Sequence, residues 1–218
     1  MQQLPLFPLG TVLVPGLVLP LHVFEPRYRD LVADLLTRPE GERAFGVVAI
    51  KEGHEVGRDG VRALYGVGCT AVVQDVTAYD DGRYDLVTTG SGRFRLDRLD
   101  ETAGTPYLTG WVTPLPESDG EDVDVPALAR QVGLAFAAYR ERLGAPQTGL
   151  PASPRVLSYL VAAAMVLDLA DRQALLEQPD TARRLVAERH LLHRERLLLD
   201  VLRAVPAPQL VRTAVSPN

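Results

Sequence analysis

The sequence predicts an α+β protein with a strand-rich first half and a helical second half. Up to about residue 115, short apolar runs are separated by turn dipeptides such as Pro15-Gly16 and Asp81-Gly82, which is typical of strands in a small barrel or sandwich. After residue 125, apolar residues recur every three or four positions, which is the period of a helix. We therefore expect a β domain over residues 1–116, a helical bundle over 117–205 and a flexible tail over 206–218.

The β half is predicted to contain one helix. Apolar runs at 11–14 and 17–23 are expected to be strands that are covered on both faces. Segment 26–36 places its apolar residues on one helical face, with Pro26 in the first turn and a Pro-Glu-Gly sequence after its end. Further strands are expected at 45–50, 65–79, 84–89, 91–99 and 107–115.

The helical half begins after an acidic connector at 116–125. A first helix is predicted over 128–143, and Ser153 is expected to cap a second helix that starts at Pro154. Asp171 is expected to cap a short helix through Glu177, and Asp180 a long one that runs to about Ala204.

The uncharged stretch 4–24 has the length of a membrane span but lacks its other properties. Four prolines interrupt it, and a proline inside a helix costs about 3 kcal/mol. No basic segment precedes it, and no small-residue cleavage site follows it. We interpret it as buried strands with turns and expect no membrane attachment. Cys69 is the single cysteine, so no intramolecular disulfide is expected, which suits the cytoplasm.

Nucleotide and catalytic motifs are weak or absent. Lys51 is the only lysine, and its neighbours do not form a P-loop; a serine–lysine pair that uses it is disfavoured because it ends a predicted strand. Gly66-Val67-Gly68 and Gly90-Ser91-Gly92 are interpreted as bulges or tight turns rather than as a dinucleotide loop or a nucleophile elbow.

Metal binding is also disfavoured. His190 and His193 lie one helical turn apart near Glu195, but their spacing is not that of a zinc protease, and arginines surround them. His22 lies in an apolar run, where a hydrogen-bonded structural role is expected rather than that of a catalytic base. We expect no metal and no cofactor.

An arginine-rich strand face is the best case for nucleic acid. Arg83, Arg93, Arg95 and Arg98 are placed to line one surface of the β domain. The alternative is a solvated strand face that pairs with nearby aspartates. A net charge of −5 gives no general attraction for phosphate, and the aromatic platform of single-strand binders is missing, so nucleic acid is the less favoured partner.

Several segments resemble Lon N-terminal substrate-binding domains over about residues 4–203. The proline-rich opening is the most specific part. The matching segments are Leu6-Phe7-Pro8-Leu9, Val14-Pro15-Gly16, Leu19-Pro20-Leu21, Phe24-Glu25-Pro26-Arg27-Tyr28, Gly92-Arg93-Phe94-Arg95 and Asp171-Arg172-Gln173-Ala174-Leu175-Leu176-Glu177.

This resemblance implies a PUA-like β-pseudobarrel beside a helical bundle. It also implies a role in recognising unfolded or degradation-marked protein segments, with a protease as a further expected partner. The chain ends where the ATPase of the full-length protease would begin, so we expect a non-catalytic binding module. A PUA-like RNA-binding protein is the alternative, and a hydrolase is the least favoured class. The oligomeric state is not fixed by the sequence.

A peptide-binding groove is expected near the Pro15 turn and the start of the first helix. An extended apolar peptide would contact side chains there or add to a sheet edge. The competing interpretation, which is favoured for each residue taken singly, is that Phe7, Val14, Phe24 and Tyr28 form the core. The candidate residues are Phe7, Val14, Pro15, Phe24, Tyr28 and Phe94.

Overall fold

The computed structural model describes residues 1–53, 61–121, 124–146 and 149–202. The strands are β1 Gln2–Leu9, β2 Val18–Val23, β3 Ala44–Gly53, β4 Val61–Leu64, β5 Val67–Ala78, β6 Tyr84–Leu99 and β7 Thr109–Pro114. The helices are α1 Pro26–Leu36, a short 3-10 turn Glu40–Glu42, α2 Val125–Arg142, α3 Pro154–Ala164, α4 Leu169–Leu176 and α5 Thr181–Leu202. The predicted α+β class is confirmed. No helix within the described ranges is long and apolar enough to cross a membrane.

The chain divides into two compact units. The first contains Met1–Ser118 and Ala162–Pro179, and the second contains Asp119–Val161 and the described part of Asp180–Asn218. These units differ from the predicted domains because residues 162–179 belong with the β half. Helical periodicity shows which apolar residues share one face of a helix but not which core that face packs on. The assignment of residues 162–179 to the first unit therefore could not be predicted from the sequence. The predicted tail, 206–218, lies outside the described residues.

Five strands of the first unit form a closed circuit. Strand β1 pairs in parallel with β3 and antiparallel with β7, and the sheet continues from β7 through β6 and β5 back to β3. Closure removes the free edges of these five strands. Strand β2 lies outside the circuit and pairs with the first half of β6, whereas β4 pairs with β3.

The N-terminal segment differs from the prediction at one point. The first strand is Gln2–Leu9, and residues 11–14 form no strand, although Val12, Leu13 and Val14 are buried. Here the chain passes very close to β6. A Cβ atom added to Gly90 would lie 2.3 Å from the Val14 carbonyl oxygen, which is too close for any residue except glycine. Gly90 also lies at a register shift between β5 and β6. The prediction of a bulge is therefore confirmed at Gly90, where a side chain would not fit.

Helix α1 packs on the main core of the first unit. It has the predicted bounds, with proline in its first turn, and buries one apolar stripe. The stripe consists of Tyr28, Leu31, Val32 and Leu35. Phe7 of β1 stacks on Tyr28 with ring centroids 4.0 Å apart, which fixes the helix against the barrel.

Arg93 joins the second segment of this unit to the barrel. It was expected on a solvated strand face, but only 3% of the residue is exposed. Its guanidinium donates to Glu117 Oε1 at 2.6 Å, to the carbonyl oxygen of Leu176 at 2.9 Å and to that of Gln178. Gln173 of α4 also donates, to the Val67 carbonyl oxygen of β5 at 3.0 Å. The strand alternation that predicted an exposed Arg93 fails because residues 162–179 cover that position.

The helix caps partly follow the prediction. Asp180 accepts from the Arg183 amide at 2.8 Å at the start of α5, as expected. Helix α4 begins one turn earlier than predicted, because Asp168 rather than Asp171 is its cap and accepts from the Asp171 amide at 2.7 Å. Both aspartates suit a cap, and the sequence alone does not distinguish them.

The second unit is built on the pairing of α2 with α5. Arg189 of α5 donates to Gln131 Oε1 of α2 at 3.1 Å, and Arg142 pairs with Asp200. Inside this unit Arg184 is fully buried; it donates to Ser158 Oγ at 3.1 Å and lies 3.9 Å from the centre of the Tyr159 ring.

Candidate functional site: an exposed aromatic face on the first unit

The outer surface of β2, β6 and β5 carries unusual apolar exposure. Along β2, Leu19, Leu21 and Val23 turn toward the core, whereas Val18, Pro20 and His22 turn outward. The sequence predicted β2 to be covered on both faces, which is wrong for this strand. The outward face of β2 is open to solvent, and one edge of the strand is also open because the only strand that β2 pairs with in the described structure is β6.

Cross-strand pairing gathers the exposed side chains. Pro20 lies opposite Val87 and His22 opposite Asp85, and Val87 in turn lies opposite Asp75 of β5. Exposure is 56% for Val18 and 40% for Val87, which is high for large apolar residues in a sheet. We call the set Val18, His22, Phe24, Tyr79, Asp85 and Val87 the aromatic face.

Three rings and one carboxylate form the centre of the aromatic face. The His22 ring lies 6.2 Å from the Phe24 ring and 6.4 Å from the Tyr79 ring, between centroids. Asp85 Oδ1 lies 2.6 Å from His22 Nδ1, and the Tyr79 hydroxyl donates to Asp85 Oδ2 at 2.5 Å. Phe24 and Tyr79 are each 42% exposed, so their ring faces remain accessible to a partner.

The hydrogen bonds of this cluster keep the carboxylate charged. Donation from Tyr79 and then from His22 lowers the pKa of Asp85 below its ordinary value. The same bond to Asp85 raises the pKa of Tyr79, so the phenol keeps its proton. At neutral pH the centre of the aromatic face therefore holds the negative charge of Asp85 beside the protonated phenol of Tyr79.

The structure separates the six predicted binding residues. Phe7, Val14, Tyr28 and Phe94 are buried and belong to the core of the first unit. They therefore present no surface to a peptide in this conformation. For Phe7, Val14 and Tyr28 burial in the core is the alternative that the sequence left open, whereas Phe24, which the same alternative placed in the core, is not buried. Phe24 is exposed on the aromatic face, and Pro15 is half-buried in the turn that precedes β2.

The remaining residues of the aromatic face were missed. His22 was expected to be a hydrogen-bonded structural residue, and its partner Asp85 lies 63 positions away. Nothing local in the sequence joins them. The one available signal was the alternation of Leu19, Leu21 and Val23 with Pro20 and His22, since the structure exposes every second residue from Val18 to His22.

The expected basic surface is not continuous. Arg93 is buried, Arg95 pairs with Asp97 at 2.8 Å, and Arg83 pairs with Asp81 at 2.7 Å. Arg98 lies over the Trp111 ring at 5.2 Å. Two of the three exposed arginines thus have a carboxylate partner, and the face does not offer a run of free cations to phosphates.

The cysteine and two of the histidines lie in surroundings that differ from those of reactive or metal-binding groups. Burial raises the pKa of the Cys69 thiol to about 12, so this sulfur stays protonated and unreactive. His190 and His193 are both exposed on α5. Within the described ranges, no three His, Cys, Asp or Glu side chains are grouped so as to hold a metal ion.

The second unit has an apolar groove of its own, with a volume of about 520 Å³. It runs along α2 past Ala129, Gly133 and Leu134 and is closed by the chain around Leu150 and Pro151. Leu134 is 74% exposed. This groove is a competing surface for an apolar partner, and a substitution there is a natural control for the aromatic face.

Comparisons with known proteins place the chain in one family. A family model described as "ATP-dependent protease La (LON) substrate-binding domain" matches residues 3–194. Lon protease 2 of Syntrophobacter fumaroxidans is 30% identical over 186 residues, which cover 83% of this chain and 23% of that protein. Lon protease 2 of Sorangium cellulosum is 36% identical over 144 residues, which cover 66% of this chain and 17% of that protein. The chain spans about a quarter of the length of the curated relatives it matches.

Solved structures agree. The crystal structure of a Lon N-terminal domain protein from Xanthomonas campestris matches with a TM-score of 0.61 and 31% identity, over 85% of this chain and 96% of that one. The N-terminal domain of a Lon protease from the Mycobacterium avium complex matches with a TM-score of 0.61 at 18% identity, over 91% and 97% of the two chains, which shows a likeness of fold alone. The chain belongs to the LON substrate-binding domain family, as its proline-rich opening predicted.

Proposed function

We propose that this chain is a non-catalytic module that binds unfolded or degradation-marked protein segments through its aromatic face. The observation that carries the proposal is the exposure of Val18, Phe24 and Val87 on one open sheet surface. Exposed apolar side chains gathered on one surface are characteristic of a site that binds a partner. Membership of a family named for substrate binding supports the same role.

Strand β2 gives the bound segment a backbone partner. A guest strand can add to an open sheet edge, taking affinity from main-chain hydrogen bonds and preference from alternate side chains. Pro20 cannot donate a backbone hydrogen bond, which is tolerated at an edge strand and not inside a sheet. The guest would thus run beside β2 and place every second side chain over the aromatic face.

The bound segment is held and not transformed. The buried neutral thiol of Cys69 cannot act as a nucleophile, and the ionised Asp85 is already bound by two donors. We propose that processing of the bound segment falls to a protease partner and that the module acts in the cytoplasm, in keeping with its single buried cysteine.

Phe24→Asp is expected to weaken binding of an unfolded protein by at least about tenfold. The change replaces an accessible ring with a small charged group, and aromatic contacts at the centre of an interface commonly contribute about 2 kcal/mol or more. Fluorescence anisotropy with a labelled, permanently unfolded protein measures the dissociation constant. Because Phe24 is already 42% exposed, the melting temperature should hold.

Leu134→Asp is the matched control, since it makes the same kind of change in the groove of the second unit. We expect its affinity to equal that of the unsubstituted chain. If Leu134→Asp abolishes binding and Phe24→Asp does not, the groove is the binding surface and the assignment to the aromatic face is wrong. If the unsubstituted chain binds no unfolded protein, the proposed function itself fails.

A further inference from the structure

We infer that His22, Phe24, Tyr79 and Asp85 form a receptor for a lysine or arginine side chain of the bound segment. This receptor rests on the proposed function and adds to it a preference for segments that carry a basic residue. The guest would be an extended segment that places one basic residue over this cluster and apolar residues beside it.

The rings provide the first half of such a receptor. A cation is attracted to the face of an aromatic ring within about 6 Å of its centre. The His22 ring has the Phe24 and Tyr79 rings as neighbours, 6.2 Å and 6.4 Å away, so the extended side chain of a lysine laid over them would contact more than one ring. Arg83 lies 5.9 Å from the Tyr79 ring, and its charge is paired with Asp81, so the rings of His22 and Phe24 are the ones left to a guest cation.

The carboxylate provides the second half. Each oxygen of Asp85 accepts one hydrogen bond within the protein, and a carboxylate oxygen accepts two. The side chain is 45% exposed, so its remaining lone pairs are open to a donor from outside. Tyr79 and His22 fix the position of the carboxylate, and the charge stays on it at neutral pH.

The surrounding charges favour a basic guest over an acidic one. Asp75 lies two strands across from Pro20 on the same surface, and Asp80 is exposed in the hairpin turn. The nearby cation Arg83 is bound by Asp81 through two contacts of 2.7 Å. The local excess of negative charge would attract lysine or arginine and repel aspartate or glutamate.

The spacing along β2 defines the segment further. Val18, Pro20 and His22 follow one another at every second residue, with about 6.6 Å between successive outward positions. A guest strand has the same repeat. Its basic residue over His22 would therefore be separated by two and four positions from apolar residues over Pro20 and Val18.

Three labelled twelve-residue peptides test this preference against the full chain. All have apolar residues at alternate positions, and they differ at one central position that carries lysine, norleucine or glutamate. Norleucine keeps the stem of lysine without its charge. We expect the lysine peptide to bind about tenfold more tightly than the norleucine peptide, as a partly desolvated cation–ring contact with a carboxylate neighbour implies, and the glutamate peptide to bind most weakly.

Asp85→Asn separates the two halves of the receptor. It should bring the ratio of the lysine and norleucine affinities close to one, because a neutral amide attracts no cation. Asp97→Asn, on the same strand, is the control and should change neither affinity. Equal binding of the lysine and norleucine peptides would overturn the inference and leave the proposed function standing. Absence of binding by all three peptides would instead count against both.

Discussion

Arg93→Met should lower the free energy of unfolding of the chain by about 3–5 kcal/mol, the range for removing one partner from a buried charge pair. Arg93 lies inside the first unit and binds Glu117 and the carbonyl oxygens of Leu176 and Gln178. Methionine fills similar space but donates nothing. The two carbonyl groups would lose a charged donor, and the segment 162–179 would lose its main polar attachment to the barrel.

Urea unfolding followed by circular dichroism measures this loss. Arg95→Met is the control, because Arg95 lies two positions along the same strand with 58% of its side chain exposed and one surface ion pair. Such pairs contribute about 0–1 kcal/mol, so the control should be nearly as stable as the unsubstituted chain. An equal decrease in the free energy of unfolding in the two variants would show that the buried hydrogen bonds of Arg93 contribute no more than a surface ion pair, contrary to the structure.

Glu188→Gln should make the second unit more stable at neutral and alkaline pH, and the gain should grow with pH. Glu188 is fully buried, and neither of its carboxylate oxygens has a hydrogen-bond partner in the described structure. Burial raises the pKa of Glu188 well above its ordinary value, and the nearby charge of Arg184 offsets this only in part. Glutamine keeps the shape of the protonated acid and cannot ionise.

The direction of the pH effect follows from that pKa. In the unfolded chain Glu188 loses its proton near its ordinary pKa, whereas in the folded chain it keeps the proton to higher pH. Stability from this residue is therefore fully present below the ordinary pKa and is lost as pH rises toward the folded value. Between the two, the unsubstituted chain should lose about 1.4 kcal/mol per pH unit relative to the variant.

Chemical unfolding of both proteins from pH 4 to pH 9 gives this difference directly. Glu141→Gln is a suitable control, since Glu141 is exposed on α2 of the same unit, and it should show no such trend. A constant difference between Glu188→Gln and the unsubstituted chain at every pH would mean that Glu188 does not change its protonation on folding. A loss of stability at every pH would mean that it is ionised and bound to Arg184.

The elements predicted best from the sequence are those that depend on neighbouring residues, such as a helix with its own first-turn proline. Helix α1 has its predicted bounds, because proline in the first turn and one apolar stripe are both visible in the chain. Most other strands of the β half were also found, since alternation and turn residues mark them. The first strand was expected at 11–14 rather than at Gln2–Leu9, however, and β4 was not predicted. The single strand β6 was predicted as two, because Gly90 and Gly92 interrupt its pattern while its pairing with β5 continues past them.

Contacts between distant residues explain what was missed. Arg93 has the sequence pattern of an exposed strand residue and is buried because its partners follow 83 and 85 positions later. Phe7 and Phe24 both lie in the proline-rich opening, yet the first packs on Tyr28 and the second is exposed. Composition and spacing do not show which of the two phenylalanines is buried. That difference depends on where the pairing of β2 with β6 places the end of β2.

Site-specific photocrosslinking tests the central claim most directly. A photoreactive phenylalanine is placed at position 24 in one variant of the full chain and at position 134 in another, and each is irradiated with a labelled unfolded protein. Binding at the aromatic face predicts strong crosslinks from position 24, competed by the lysine peptide, and background levels from position 134. Crosslinks from position 134 alone, or none from either variant while the proteins remain folded, would contradict the account.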